Sequence, residues 1–103
     1  MSDYGQIALQ EGLELYNQGD YVSAYRRLEE SPDIDRASIQ VRTEALKYMA
    51  FAACAQNKRT SCRQAFERLL ALQPGFELKE SEAKHPVWGA IFKQVQQAQA
   101  RRR

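Results

Sequence analysis

The chain has 103 residues, 44% of them hydrophobic and 27% charged, which suits one globular domain. No run approaches the roughly 18 apolar residues of a membrane span, and the opening "MSDYGQIALQ" has neither the basic start nor the apolar core of a signal peptide. Two cysteines and one histidine are one side chain fewer than the four nitrogen or sulfur ligands of a structural zinc site.

Helical periodicity predicts five helices in chain order, and no segment alternates as a strand would. The first spans about Tyr4 to Gln18, with Ile7, Leu9, Leu13, Leu15 and Tyr16 as its apolar side. Gly19 ends it by tolerating the left-handed conformation, and Asp20 is placed to cap the next helix. That second helix covers about Tyr21 to Glu30 with Ala24, Tyr25 and Leu28 inward, and Ser31-Pro32-Asp33 stops it. After the linker "SPDIDRAS", a third helix from about Ser38 to Gln56 carries Ile39, Val41, Leu46, Met49, Ala50 and Ala53 inward. Asn57 is its expected left-handed terminator. Thr60 or Ser61 is the expected cap of a fourth helix that reaches Leu72 and buries Ala65, Phe66, Leu69 and Leu70. Gln73-Pro74-Gly75 closes it. "FELKESEAKHP" then reads as an extended link with one helical turn near Ser81 to Lys84. Pro86 suits the first turn of the last helix. That helix presents Val87, Trp88, Ile91, Phe92 and Val95 as one stripe before its polar end "QQAQARRR", which is expected to fray.

The charge is uneven. Residues 1–40 hold eight acids and three arginines, net −5, while residues 41–103 hold twelve Lys or Arg and five Glu, net +7. Such polarity steers association. The sequence pI of about 8.6 and the acidic half argue against a nucleic-acid reader, for which values above about 9 are usual. No Gly-rich phosphate loop, paired-carboxylate constellation or catalytic triad is present, so neither catalysis nor a cofactor is expected.

The segment "ALQEGLELYNQGDYVSAYRRLEE" recurs as "ALKYMAFAACAQNKRTSCRQAFERLLALQP". Gly12 then matches Ala50, Gly19 matches Asn57, Ala24 matches Cys62, and Leu28 matches Phe66. Gly12, Tyr16, Gly19-Asp20-Tyr21 and Ala24 in the first copy resemble the signature of tetratricopeptide repeats. So do Leu46, Ala50, Asn57, Phe66, Leu70, Leu72 and Pro74 in the second. The resemblance implies an all-α domain over residues 1–103. It comprises two antiparallel helix hairpins, at about 4–31 and 38–74, plus a C-terminal capping helix at about 86–100. It implies binding rather than catalysis. The later stretch "LLALQPGFELKESEAKHPVWGAIFKQV" is similar to small repeat-containing proteins of the bacterial cell envelope. A scaffold or adaptor in an envelope or secretion assembly is the expectation that follows, with a cytoplasmic adaptor or chaperone for secretion substrates as the alternative. The expected partner is a protein or peptide, with no small-molecule substrate. Membrane association would require an N-terminal anchor preceding this sequence.

In the repeat frame Cys54 and Cys62 lie about equally far from the turn near Lys58 and face each other across the hairpin. A disulfide needs Cα atoms within about 7 Å, which such a hairpin permits. The alternative is two small packing residues. A disulfide would imply an oxidising compartment, the periplasm or outside. Glu14, Tyr16 and Gln18 of the first helix, with Arg42, Lys47 and Tyr48 of the third, form the expected partner-binding surface. Trp88, Phe92 and Phe76 are expected to cover the open end of the repeats. His85 is expected to bond the acidic turn of Glu80 and Glu82.

Overall fold

The computed structural model describes residues 3–102, and Arg103 of the terminal arginine run lies outside them. Seven helices and no strand are present among the described residues: α1 (Tyr4–Asn17), α2 (Tyr21–Glu29), α3 (Pro32–Asp35), α4 (Ile39–Ala55), α5 (Arg59–Leu72), α6 (Glu80–Ala83) and α7 (Trp88–Arg101). They pack to a radius of gyration of 13.1 Å, the value expected of about 100 residues in one compact body.

Helices α1 and α2 pack together, as do α4 and α5, and each pair is joined by a tight turn. Gly19 at φ +83° and Asn57 at φ +60° supply the left-handed residues of those turns, the two residue types that adopt it most readily. The Asp20 side chain accepts from the Ser23 N–H at 3.2 Å and so caps α2. Close approach of α1 and α2 depends on Gly12, because a Cβ there would overlap the buried Leu28 side chain. A Gly12→Val substitution is therefore expected to destabilise by about 1–3 kcal/mol through overpacking. A urea-midpoint comparison with wild type checks this, and an unchanged midpoint would show that Leu28 has room to move aside.

The α4 helix is central. It contacts α1, α2, α3, α5 and α7, and ten of its seventeen residues are buried. A helix covered on every side needs apolar or small residues all round, and "ALKYMAFAAC" provides them. Ala65, Phe66, Leu69 and Leu70 of α5 are buried against it, and Ile91, Phe92 and Val95 of α7 complete the core.

Several local expectations are corrected. Pro32 does not merely stop α2. It opens the one-turn helix α3, for which its fixed φ is suited, while the buried Ser31 hydroxyl accepts from the Ile34 N–H at 3.2 Å and Ile34 enters the core. Ile7 and Ile39 are about half exposed, and α1 buries Gly5, Ala8, Leu9 and Gly12, of which Leu9 was expected inward. Neither Thr60 nor Ser61 caps α5. The turn at Asn57 is so tight that Lys58 already holds the N-cap position, with no side-chain bond. Pro86 lies before α7, which starts at Trp88. The polar end of α7 is helical to Arg101, with Gln99 Nε2 donating to the Glu67 carbonyl of α5 at 3.2 Å. Glutamines that look solvated in sequence are long enough to reach a neighbouring helix.

Candidate functional site

An aromatic strip crosses the molecule from α1 through α4 to the start of α7. Tyr16 of α1 meets Tyr21 and Tyr48 edge-on, each with ring centroids 5.3 Å apart. Tyr48 meets Phe51 of the same helix at 5.5 Å, and Phe51 stacks on Trp88 at 4.0 Å. His85 stacks on the other face of the indole at 3.7 Å. Phe51 is buried, whereas Tyr16, Tyr21, Tyr48, His85 and Trp88 are half-buried and reach the surface. The strip exists because positions 48 and 51 are three residues apart and share one side of α4.

Beneath the strip lies Lys47, whose side chain is only 3% exposed. Its ammonium donates to Glu82 Oε2 of α6 at 2.8 Å and pairs with Glu44 at 3.3 Å. It also sits 4.9 Å from the centre of the Tyr48 ring, where the negative face of the π-system attracts a cation. Glu82 is shared further. Its Oε1 accepts from the Lys79 N–H at 3.0 Å, and its backbone carbonyl accepts from Trp88 Nε1 at 2.8 Å. The pair therefore ties the α6 turn and the start of α7 to the central helix. Burial alone would lower the Lys47 pKa, but the hydrogen bond it donates to Glu82 and the charges of Glu44 and Glu82 outweigh it and raise the value. The Tyr16 hydroxyl is pushed up to about 12, first by burial and then by the neighbouring Tyr21, Tyr48 and Glu82.

These two shifts have the same sign in stability. A group whose pKa is higher folded than unfolded stabilises fully below its unfolded pKa, and that contribution is lost as pH rises through the folded value. Tyr16 and Lys47 are therefore expected to make the fold weaken as pH climbs from about 10 towards 12. Urea midpoints taken across that window check the fall. In the Tyr16→Phe variant the fall should be shallower, and an identical slope would remove Tyr16 from the account.

The structure separates the six residues expected to form one surface. Tyr16 and Tyr48 share the strip. Glu14 and Gln18 lie exposed but project from the opposite side of α1, since two residues along a helix is a turn of about 200°. Arg42 lies on the far side of α4, in a cavity with Leu46 and Met49. Lys47 is buried in an ion pair and is not a surface group. Its long apolar stem suits an interior site once the ammonium is paired, and the partner, Glu82, is 35 residues away in sequence. Sequence reasoning missed that pairing, and also missed Phe51 as part of the strip. The signal available was the "KYMAF" run, which sets a lysine among three large apolar residues.

The His85 side chain does not bond Glu80 or Glu82, although the His85 N–H donates to the Glu82 carbonyl at 3.2 Å. Its Nδ1 accepts from the Val87 N–H at 3.1 Å and the Trp88 N–H at 3.2 Å, so it caps the entry to α7. Trp88 and Phe92 pack against the core, with Phe92 buried edge-on to Phe66 at 5.2 Å and to Phe76 at 6.3 Å. Cys54 and Cys62 form a disulfide across the α4–α5 turn, with Cα atoms 5.3 Å apart.

Among the described residues no cluster of His, Cys, Asp or Glu could hold a metal ion, and no helix is long and apolar enough to cross a membrane. No family model matches the chain, nor does any curated protein or solved structure.

Proposed function

We propose that this domain is a non-catalytic protein-binding module. Two tetratricopeptide-like hairpins, α1–α2 and α4–α5, would be closed by α7 and would hold a peptide segment of a partner. The observation that carries the reading is the strip of half-buried tyrosines, Tyr16, Tyr21 and Tyr48, on a compact helical scaffold. Tyrosine gives large contact area with little conformational entropy to lose, and it is enriched where proteins meet. Lys47 and Tyr16 both hold their protons well past neutral pH, so neither is a base or nucleophile there.

The disulfide supports a place in an oxidising compartment, such as the bacterial periplasm. A scaffold or adaptor of a cell-envelope or secretion assembly combines both observations. Mass spectrometry of unreduced protein from the native host checks the compartment. A mass lighter by two hydrogens is expected. Two free thiols would favour the cytoplasmic adaptor instead.

A photoreactive phenylalanine analogue at position 48 tests the binding surface. One dominant crosslinked protein is expected there, with none from the same analogue at position 18 on the other side of α1. Equal labelling from both positions would reject the strip as the contact surface.

A further inference from the structure

The charge beside the tyrosine strip is one-sided. Glu44 and Glu82 both approach the Lys47 ammonium, at 3.3 and 2.8 Å, so two carboxylates share one cation. The cation is buried, whereas the Glu44 side chain is 39% exposed. Glu44 meets Lys47 through Oε1, and its Oε2 makes no hydrogen bond or ion pair among the described residues. Tyr16 senses the same sign. Its pKa is pushed up to about 12 first by burial and then by Tyr21, Tyr48 and Glu82, with no cation lowering it.

Glu44 and Tyr48 are four residues apart on α4, so they are neighbours on one side of that helix. Tyr16 of α1 meets Tyr48 at 5.3 Å between ring centres. A carboxylate with a spare oxygen therefore stands beside two half-buried tyrosine rings. The faces of such rings attract cations. The molecule already uses this property internally, with Lys47 Nζ 4.9 Å from the centre of the Tyr48 ring.

We propose that the strip receives an arginine side chain of the partner peptide, its guanidinium bonded to Glu44 and lying against the rings of Tyr16 and Tyr48. The proposal rests on the reading of the strip as the partner surface and names the chemistry recognised there. Charge complementarity selects a cation. An acidic segment would be repelled by Glu44, and an apolar one would take water from the Glu44 carboxylate without replacing its hydrogen bonds. Arginine suits the site better than lysine, because its planar, weakly hydrated guanidinium stacks on an aromatic ring and bonds a carboxylate at the same time.

Amide NMR of the intact oxidised chain tests the proposal by titration with three acetylated, amidated peptides, Gly-X-Gly, where X is arginine, citrulline or lysine. Citrulline keeps the shape of arginine and lacks its charge. Saturable shifts at residues 16, 44 and 48 are expected with the arginine peptide, which should bind about fivefold or more tightly than the citrulline peptide. Added salt should narrow that difference, since Glu44 is exposed. Glu44→Gln should abolish it. Tyr48→Leu keeps the carboxylate, should also weaken the arginine peptide, and serves as the second variant if Glu44→Gln disturbs the fold. Absence of saturable shifts with the arginine peptide overturns the proposal, and so does citrulline or lysine binding as tightly as arginine. Crosslinking at position 48 would still succeed with a partner that contacts the strip through other residues, so failure here is distinct from failure of the binding surface.

Discussion

Replacing Glu82 with alanine is expected to cost about 3 kcal/mol of stability, within the range seen when one partner of a buried ion pair is removed. The Lys47 side chain is 3% exposed, and its Glu82 partner 15%. Deleting Glu82 leaves the ammonium in the core with Glu44 as its remaining carboxylate, which is itself more than a third exposed. The Lys79 N–H also loses its acceptor. The neutral pair Lys47→Met with Glu82→Gln should recover most of that loss, because no uncompensated charge remains and methionine fills a similar volume. Urea denaturation followed by the fluorescence of Trp88, the single tryptophan, measures both variants. The double-mutant cycle, completed by the single variants Lys47→Met and Glu82→Gln, gives the coupling of the pair. The coupling should also survive added salt, since a buried pair is screened little. A loss below about 0.5 kcal/mol for Glu82→Ala would place the pair in the surface class and remove it as the clasp between α4 and α7.

Reduction of the Cys54–Cys62 disulfide is the second large effect, expected at about 2.5 kcal/mol. The two residues are eight apart, and cross-linking so short a loop removes roughly that much chain entropy from the unfolded state. Cys62 is fully buried and Cys54 nearly so. Reduced thiols remain small hydrophobes in the same sites, so the comparison isolates the crosslink from core volume. Urea midpoints of oxidised and reduced protein, converted with a common slope, report the difference. Equal midpoints would mean that the tight Asn57 turn already holds the α4–α5 hairpin as closely in the unfolded ensemble. Under such reduction the hairpin should stay helical, because Phe66, Leu69 and Leu70 remain packed against α4.

The helical class and most element positions were legible because they rest on local chemistry. Residues 65, 66, 69 and 70 recur at the helical period and are buried together. Gly19 and Asn57 are the residues that tolerate positive φ where a turn was needed. Asp20 caps because a carboxylate is available one residue before α2. Helix phase was less legible. Along α1 the expected Leu9 is buried and Leu13 and Tyr16 pack against the core, but Ile7 is half exposed and the small residues Gly5, Ala8 and Gly12 are buried instead, since close helix approach favours the face with the least side chain.

The chain by itself determined an all-helical domain, its turns and the pairing distance of its cysteines, because propensity, periodicity and turn chemistry act within a few residues of each other. Only the tertiary structure decided which residues of α1 and α4 meet a neighbour, and with it where Lys47, Arg42, Tyr16 and Tyr48 lie. Lys47 went inward because Glu82 of α6 arrives beside it, Arg42 went to a cavity on the far side of α4, and Tyr16 and Tyr48 joined in one strip because α1 lies against α4. The Lys47–Glu82 and Tyr16–Tyr48 contacts join residues more than 30 positions apart, and no local energy term in the sequence carries their geometry.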